Sequence, residues 1–414
     1  MGSVIRPITA LLLSAGIVLA GNGLEGMLLP LRGSIEGFGE IEIGMIGSSY
    51  NGGLMIGCLV CPRIIGRVGH VRAFAVFTAI ATISPLIEAI WVNAPVWWVF
   101  RALTGMCIAG IMNAVESWLT SVATNANRGQ VMSTYTIINF GSVMIGQQLT
   151  NVGNLAGSEL FSLVAILFSL AAVPLALTLT PHPAPPRQPR LRIGQLWRVS
   201  PAAVAGSFGA GIANGAFWAL GPVYGRESGL PIEVIPLFMS FVLIGGAIAQ
   251  WPMGRISDRV DRRSVLAVLC LMAATLGVVI AGFAPADVKT RLVLAVLYGF
   301  AMLPVYWVSF AHANDLAEPS EAVDVSSSLL LLYAVGAIAG PLLAAVTMHA
   351  FSANALFVHT AVVHALVGGF VIYRMTRRAP VPPQYRIAYD SLPKSNTPAG
   401  FEQGKGEAAA LRDQ

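Results

Sequence analysis

ITALLLSAGIVLAGNGLEGMLLPL, residues 8–31, and SPAAVAGSFGAGIANGAFWALGPV, residues 200–223, set the architecture of the chain. Each is long enough to cross a hydrocarbon layer, which takes about 20 mostly apolar residues because nothing inside a bilayer satisfies an exposed backbone. Shifted by 192 residues, the second falls on the first: Asn22-Gly23 matches Asn214-Gly215, and Pro30 matches Pro222. The same shift puts Gly53 on Gly245 and Arg67-Val68 on Arg259-Val260. One offset that holds across two apolar runs and a loop marks two related halves. Such repeats are a signature of transporter folds, whose substrate site lies where the repeats meet near mid-membrane.

Ten more apolar runs lie near 44–64, 73–93, 96–120, 131–152, 158–179, 234–254, 264–284, 291–313, 324–347 and 353–374. The chain is 55% hydrophobic and 11% charged, against roughly a quarter charged in a soluble domain, so lipid is its main solvent. The expected fold is all-α and integral to the membrane, with twelve transmembrane helices in two pseudo-symmetric six-helix bundles. The expected division is an N-terminal half over 1–180, a linker over 181–198, a C-terminal half over 199–376 and a disordered cytoplasmic tail over 377–414. The linker has Pro181, Pro183, Pro185, Pro186 and Pro189 and reads as semi-extended. Arg6 before the first run suggests a signal peptide, but the run reaches Leu31 without an A-x-A site and has its counterpart inside the chain. Cys58, Cys61, Cys107 and Cys270 all fall within predicted spans, where a disulfide framework is not expected.

With a cytoplasmic N-terminus, twenty Lys and Arg fall in inner segments and four in outer ones: Arg32, Arg226, Lys289 and Arg291. That bias orients both termini to the cytoplasm. It also accounts for the net charge of +5, so no nucleic-acid partner is expected. Arg101 is the remaining cation and lies inside span four, where an arginine costs about 2.5–3.5 kcal/mol on insertion scales and should face protein or a wet cavity.

After the eighth span comes GRISDRVDRR, residues 254–263, and after the second PRIIGRVGHVR, residues 62–72. Both resemble the cytoplasmic-loop motif of the major facilitator superfamily, G-x-x-x-D-R-x-G-R-R. Gly254, Asp258, Arg259, Arg262 and Arg263 take the family positions, while Asp261 stands where the family usually has Gly. In the first half Gly66 takes the Asp position and leaves Arg67, Gly69 and Arg72. The resemblance implies a conformational latch whose charge-assisted bonds form in one state and break in another. For Arg67 and Arg72 the alternative is a topology anchor. FRALTGMCIAG, residues 100–110, resembles the family's fourth-helix motif through Arg101 and Gly105. GAIAGPLL, residues 336–343, resembles the antiporter motif but lies in span eleven, and the equivalent of span five reads GQQL without proline. A closer likeness, to the YcaD-like branch of bacterial major facilitators, rests on SSY at 48–50, AVESWL at 114–119, AQWPMGRISDR at 249–259 and LPV at 303–305. It implies a location in the bacterial inner membrane and no particular substrate.

In this family spans one, four, seven and ten line the central cavity. Asn22 and Glu25 share one face of span one, and Asn113 and Glu116 one face of span four. Span seven offers Asn214, Phe217 and Trp218, and span ten Tyr306 and Trp307. Intramembrane carboxylates are functional candidates by default, so Glu25 and Glu116 are the expected proton-binding groups, or else structural partners of Arg101. Glu88, near the outer end of span three, is expected to snorkel or pack. The aromatic rings could stack on a planar or cationic solute, pack, or join the interfacial belt. His349, His359 and His364 show no ligand spacing and read as core or interface histidines.

These features point to a secondary active transporter of a small organic solute, working by alternating access. It would be driven by the proton gradient with no bound cofactor or metal, would act as a monomer, and on family habit would favour efflux. A receptor or assembly factor on the same fold is one rival. A soft-metal carrier using Met55, Cys58 and Cys61 is another. No solvent-facing segment carries a nucleophile-base set or phosphate loop, so an enzyme is not expected.

Overall fold

A computed structural model of the chain describes residues 2–123, 128–177, 191–283, 287–318, 321–382 and 386. Every regular element among them is helical, and they belong to two compact units, one before Pro189 and one from Pro189 onward. The first holds α1 (Gly2–Ile35), α2 (Glu40–Val68), α3 (His70–Ile90), α4 (Ala94–Val122), α5 (Arg128–Gln148), α6 (Glu159–Leu170) and α7 (Ala172–Ala176). The second holds α8 (Ile193–Val199), α9 (Pro201–Glu227), α10 (Ile235–Arg259), α11 (Arg262–Phe283), α12 (Val288–Met302), α13 (Pro304–Leu316), α14 (Ala322–Ala350) and α15 (Ala355–Arg377). Pro174 and Pro304 lack the N–H that would bond back one turn, so α6–α7 and α12–α13 are single spans with a break at Ala171 and Leu303.

Eleven of the twelve spans are both long and apolar enough to cross a membrane. The twelfth, α5, has the length at 21 residues but carries Ser133, Thr134, Thr136, Asn139, Gln147 and Gln148. It is held by packing along α1. Both units use one pairing scheme. In the first, α1 meets α5 and the sixth span, α2 meets α4, and α3 meets α6. In the second, α9 meets α14 and α15, α10 meets α12, and α11 meets α15.

Close backbone approaches recur at matched positions. A Cβ on Gly53 would enter the carbonyl of Ala102, and one on Gly245 that of Val296. Gly146 faces the Ala20 carbonyl as Gly340 faces that of Ile212. Small residues let membrane helices approach to van der Waals distance, which replaces the hydrophobic drive that lipid does not supply. The matches also refine the repeat: the offset is 192 in the first two spans of each half and 194 in the fourth and fifth.

Two stretches depart from expectation. The linker becomes helical at α8, past its last proline, because Leu196 is buried and the Trp197 ring stacks on Phe370 at 6.2 Å. Arg192 ties its start to α14 and the turn before it, donating its backbone N–H to Ser328 Oγ at 3.0 Å and its Nη1 to Glu321 Oε1 at 2.7 Å. Residues 178–190 of the linker region lie outside the described residues. The tail is anchored at its start: Arg378 donates to the Val199 carbonyl at 2.7 Å and Arg386 to that of Val260 at 2.9 Å. The remainder of the expected disordered tail, from 387, lies outside the described residues.

Candidate functional site

The first unit encloses a charged cluster built by three helices. Glu25 on α1 is 0% exposed and Arg101 on α4 is 5% exposed, and Arg101 Nη1 donates to Glu25 Oε2. The guanidinium lies over the Tyr50 ring, 4.1 Å from its centroid, a cation–π contact that desolvation strengthens. Asn22 stands beside the Tyr50 hydroxyl, so the expected pair Asn22 and Glu25 does face one site. Glu88 on α3 completes the cluster. It is 0% exposed, and its carboxyl comes within bonding reach of Glu25. Of the two alternatives for Glu88, it packs and does not snorkel, and Trp97 caps the end of α3 there by donating to the Glu88 carbonyl at 3.0 Å.

Glu116 is separate. Fifteen residues along α4 place it roughly 22 Å from Arg101. It is fully buried and accepts from the Tyr135 hydroxyl at 3.0 Å. Asn113 spends its amide N–H on its own helix, at the Ala109 carbonyl, and its Oδ1 is buried without a hydrogen-bond partner.

In the second unit the named residues form a neutral, aromatic site. Asn214 donates to the Tyr333 hydroxyl at 3.3 Å, and the Tyr333 ring packs 4.9 Å from that of Tyr306. Tyr306 meets Trp307 at 5.1 Å. Trp218 packs edge-on against Phe217 at 5.1 Å, and no ring contact among the described residues joins it to the Tyr306 group. Buried oxygens on Asn214 (Oδ1) and Tyr306 (OH) have no hydrogen-bond partner.

The loop motif of the second unit is an ion-pair network. Arg262 is 1% exposed and grips Asp315 at the end of α13 through Nε at 2.7 Å and Nη2 at 3.3 Å. Its Nη1 reaches Ser257, and Asp258 pairs with it at 3.2 Å across the link between α10 and α11. Gly254 is buried there, and Ser257 donates to its carbonyl. Arg259 is exposed, as are Arg67 and Arg72, and none of the three forms an ion pair among the described residues. Burial disfavours the Asp261 carboxylate, but hydrogen bonds from the Arg263 guanidinium and backbone outweigh it and hold the carboxyl below its usual range.

Cys61 turns its thiol to the Met106 carbonyl at 3.6 Å. No group of three or more His, Cys, Asp or Glu residues that could hold a metal occurs among the described residues.

Sequence reading missed the roles of Tyr50, Glu88, Asp315 and Tyr333. Tyr50 stood in a quoted motif and Glu88 was an intramembrane acid, so both carried a signal. Asp315, 53 residues from Arg262, carried none.

The family model described as Major Facilitator Superfamily matches residues 11–329 and, again, 203–397. An "Uncharacterized MFS-type transporter" of Yersinia pestis (strain Pestoides F) is 28% identical over 388 residues, 92% of this chain and 97% of that protein. "Uncharacterized MFS-type transporter YcaD" of Salmonella newport (strain SL254) is 28% identical over 86% of this chain and 93% of its own length. Among solved structures, a point mutant of the nucleoside transporter NupG aligns with a TM-score of 0.75 at 12% identity, over 89% of this chain and 99% of that one. A bacterial homolog of the human lysosomal transporter Spinster aligns with a TM-score of 0.73 at 14% identity, over 92% and 97%. With its repeated helix pairing, its loop motif and these relatives, the chain belongs to the Major Facilitator Superfamily and is a membrane transporter, not an enzyme.

Proposed function

We propose that this transporter moves a small organic solute across the bacterial inner membrane by alternating access, coupled to protons, with both termini in the cytoplasm. The observation that carries the reading is the buried Glu25–Arg101 pair. A buried ion pair often contributes no more stability than apolar residues of the same volume. A membrane protein that keeps one away from water has a use for its charge, and proton exchange at a carboxylate is the simplest such use. The second unit supplies the solute chemistry: flat rings at Tyr306, Trp307 and Tyr333, with Asn214 Oδ1 as an acceptor, suit a planar solute that donates a hydrogen bond.

The test begins with a thermal-shift screen of purified protein, since a ligand that prefers the folded state raises its apparent stability. The best ligand is then followed in proteoliposomes under an imposed pH gradient. Accumulation that tracks the gradient, with a matching change in internal pH, is expected. Binding without movement of solute would favour a receptor, and movement without a pH change would remove proton coupling. In the same assay Glu116→Gln separates the second carboxylate. Loss of accumulation with solute exchange retained would make Glu116 part of the coupling.

A further inference from the structure

We propose that Glu88 is a proton-binding residue: it holds the one exchangeable proton of the Glu25, Glu88 and Arg101 cluster and donates it in a hydrogen bond to Glu25. The inference deepens the coupling reading and rests on it.

Arg101 Nη1 is engaged by Glu25 Oε2, and its plane by Tyr50. Glu25 Oε1 and both oxygens of Glu88 are buried without a hydrogen-bond partner among the described residues; the Thr104 hydroxyl stands within reach of Glu25 but not of Glu88, and the two carboxyls are within bonding reach of each other. Two bare carboxylates at that separation repel. One carboxylic acid and one carboxylate attract, and the acid supplies the donor both were missing.

Charge balance agrees. Both acids ionised beside one guanidinium leave an unpaired negative charge in a water-free site, which a group avoids by taking up a proton. Among the described residues no second cation lies at the level of the cluster: Arg63 and Arg67 follow Tyr50 on α2 by 13 and 17 residues, and His70 and Arg72 precede Glu88 on α3 by 18 and 16, each roughly 20 Å or more along its helix. Of the helices packed on α3, α4 brings Arg101, and α2 brings Tyr50 and carries Glu40 and Glu42 on its first turn, where Glu42 caps the Gly39 N–H. In α6 and α7 the one charged residue is Glu159, which is exposed. Further along α1, Arg32 pairs with Glu36 at 2.6 Å.

A proton on Glu25 instead would cost Arg101 its hydrogen-bonded counter-ion and leave it only the longer-range attraction of Glu88. On Glu88 it leaves the ion pair intact, so the proton belongs to the carboxyl pair and Arg101 biases it toward Glu88. Release passes the proton from Glu88 to water when the cluster is hydrated. Reloading takes one back from water.

Infrared spectroscopy of the full-length protein in lipid reads the carboxylic-acid C=O band directly. At neutral pH the wild type should show a band that Glu88→Gln removes. Glu25→Gln should remove it too, because Glu88 then ionises to serve Arg101. No band in the wild type, or one that survives Glu88→Gln, overturns the proposal. A band lost in Glu88→Gln but kept in Glu25→Gln also overturns it, since burial alone would then hold the proton. A hydrophobic carbodiimide, which attacks protonated buried carboxyls, gives a measurement independent of variant folding. An adduct mapped to Glu88 of the wild type supports the proposal, and labelling elsewhere only overturns it. The infrared result does not depend on transport. If the band behaves as stated while solute movement ignores pH, the shared proton stands and the coupling reading falls.

Discussion

The two bundles repeat one helix pairing and place charge at opposite levels. In the first, Glu25, Glu88 and Arg101 are buried along the helices, while the first residue of α3, His70, meets α4 through a hydrogen bond with Ser117 at 2.9 Å. In the second, the positions matching Glu25, Tyr50, Glu88 and Arg101 are Phe217, Val242, Ile280 and Ala295, all buried and apolar. There the charge has moved to the helix end, where Arg262, the counterpart of His70, holds Asp315. Backbone packing was kept through glycines at matched sites, and the charged groups were distributed independently of it. On the proposed function, the first half handles the proton and the second the ring of the solute.

The sharpest way to break this contrast is to make the first half resemble the second. Glu25→Gln with Glu88→Gln leaves Arg101 buried without a counter-ion and should destabilise the protein by about 3–5 kcal/mol in denaturant unfolding. Adding Arg101→Met should recover most of that loss while proton-driven accumulation stays absent. If stability does not return, the cluster is needed for packing and the contrast is structural.

In the second half, Asp315→Asn removes the main partner of Arg262 and should cost about 1.5–3 kcal/mol. Asp258→Asn removes a half-exposed pair and should stay within about 1 kcal/mol while slowing solute exchange. A reversed order would make Asp258, and not Asp315, the main partner of Arg262. Gly53→Ala and Gly245→Ala probe what the halves share. Each pushes a methyl into a backbone carbonyl, so each should cost about 1–3 kcal/mol, and thermal midpoints that fall by unequal amounts would show that the shared contacts are not equivalent. The smallest effect is at Asp261. Its carboxyl is held below the usual value, so its contribution is present above about pH 3.9, the unfolded value, and is lost as pH falls through the lower folded one. Asp261→Asn should therefore differ slightly from wild type at neutral pH and converge with it in acid.

The spans, the repeat and most of the second half's loop were legible in the sequence because they depend on local apolarity and on a motif contiguous in the chain. The fifth span is the weak case, since its polar residues lower its hydropathy and its packing along α1 exists only in the folded bundle. For Glu88 the sequence left snorkelling and packing open, because nothing local shows which way a side chain near a helix end turns, and the fold buries it. Asp315 was invisible for a related reason: it acts through a partner on another helix. The linker's helix escaped because its prolines suggested an extended segment, while Leu196 and Trp197 find apolar contacts that only the folded bundle supplies.

The tie made by Arg192 also has a history in time. Its partner Glu321 follows it by 129 residues, which at about 5–20 residues per second is roughly ten seconds of synthesis. During that interval the first bundle is already complete, and the opening segment of the second has been made without the acid that will hold it. Among the contacts of the second bundle, this one closes late.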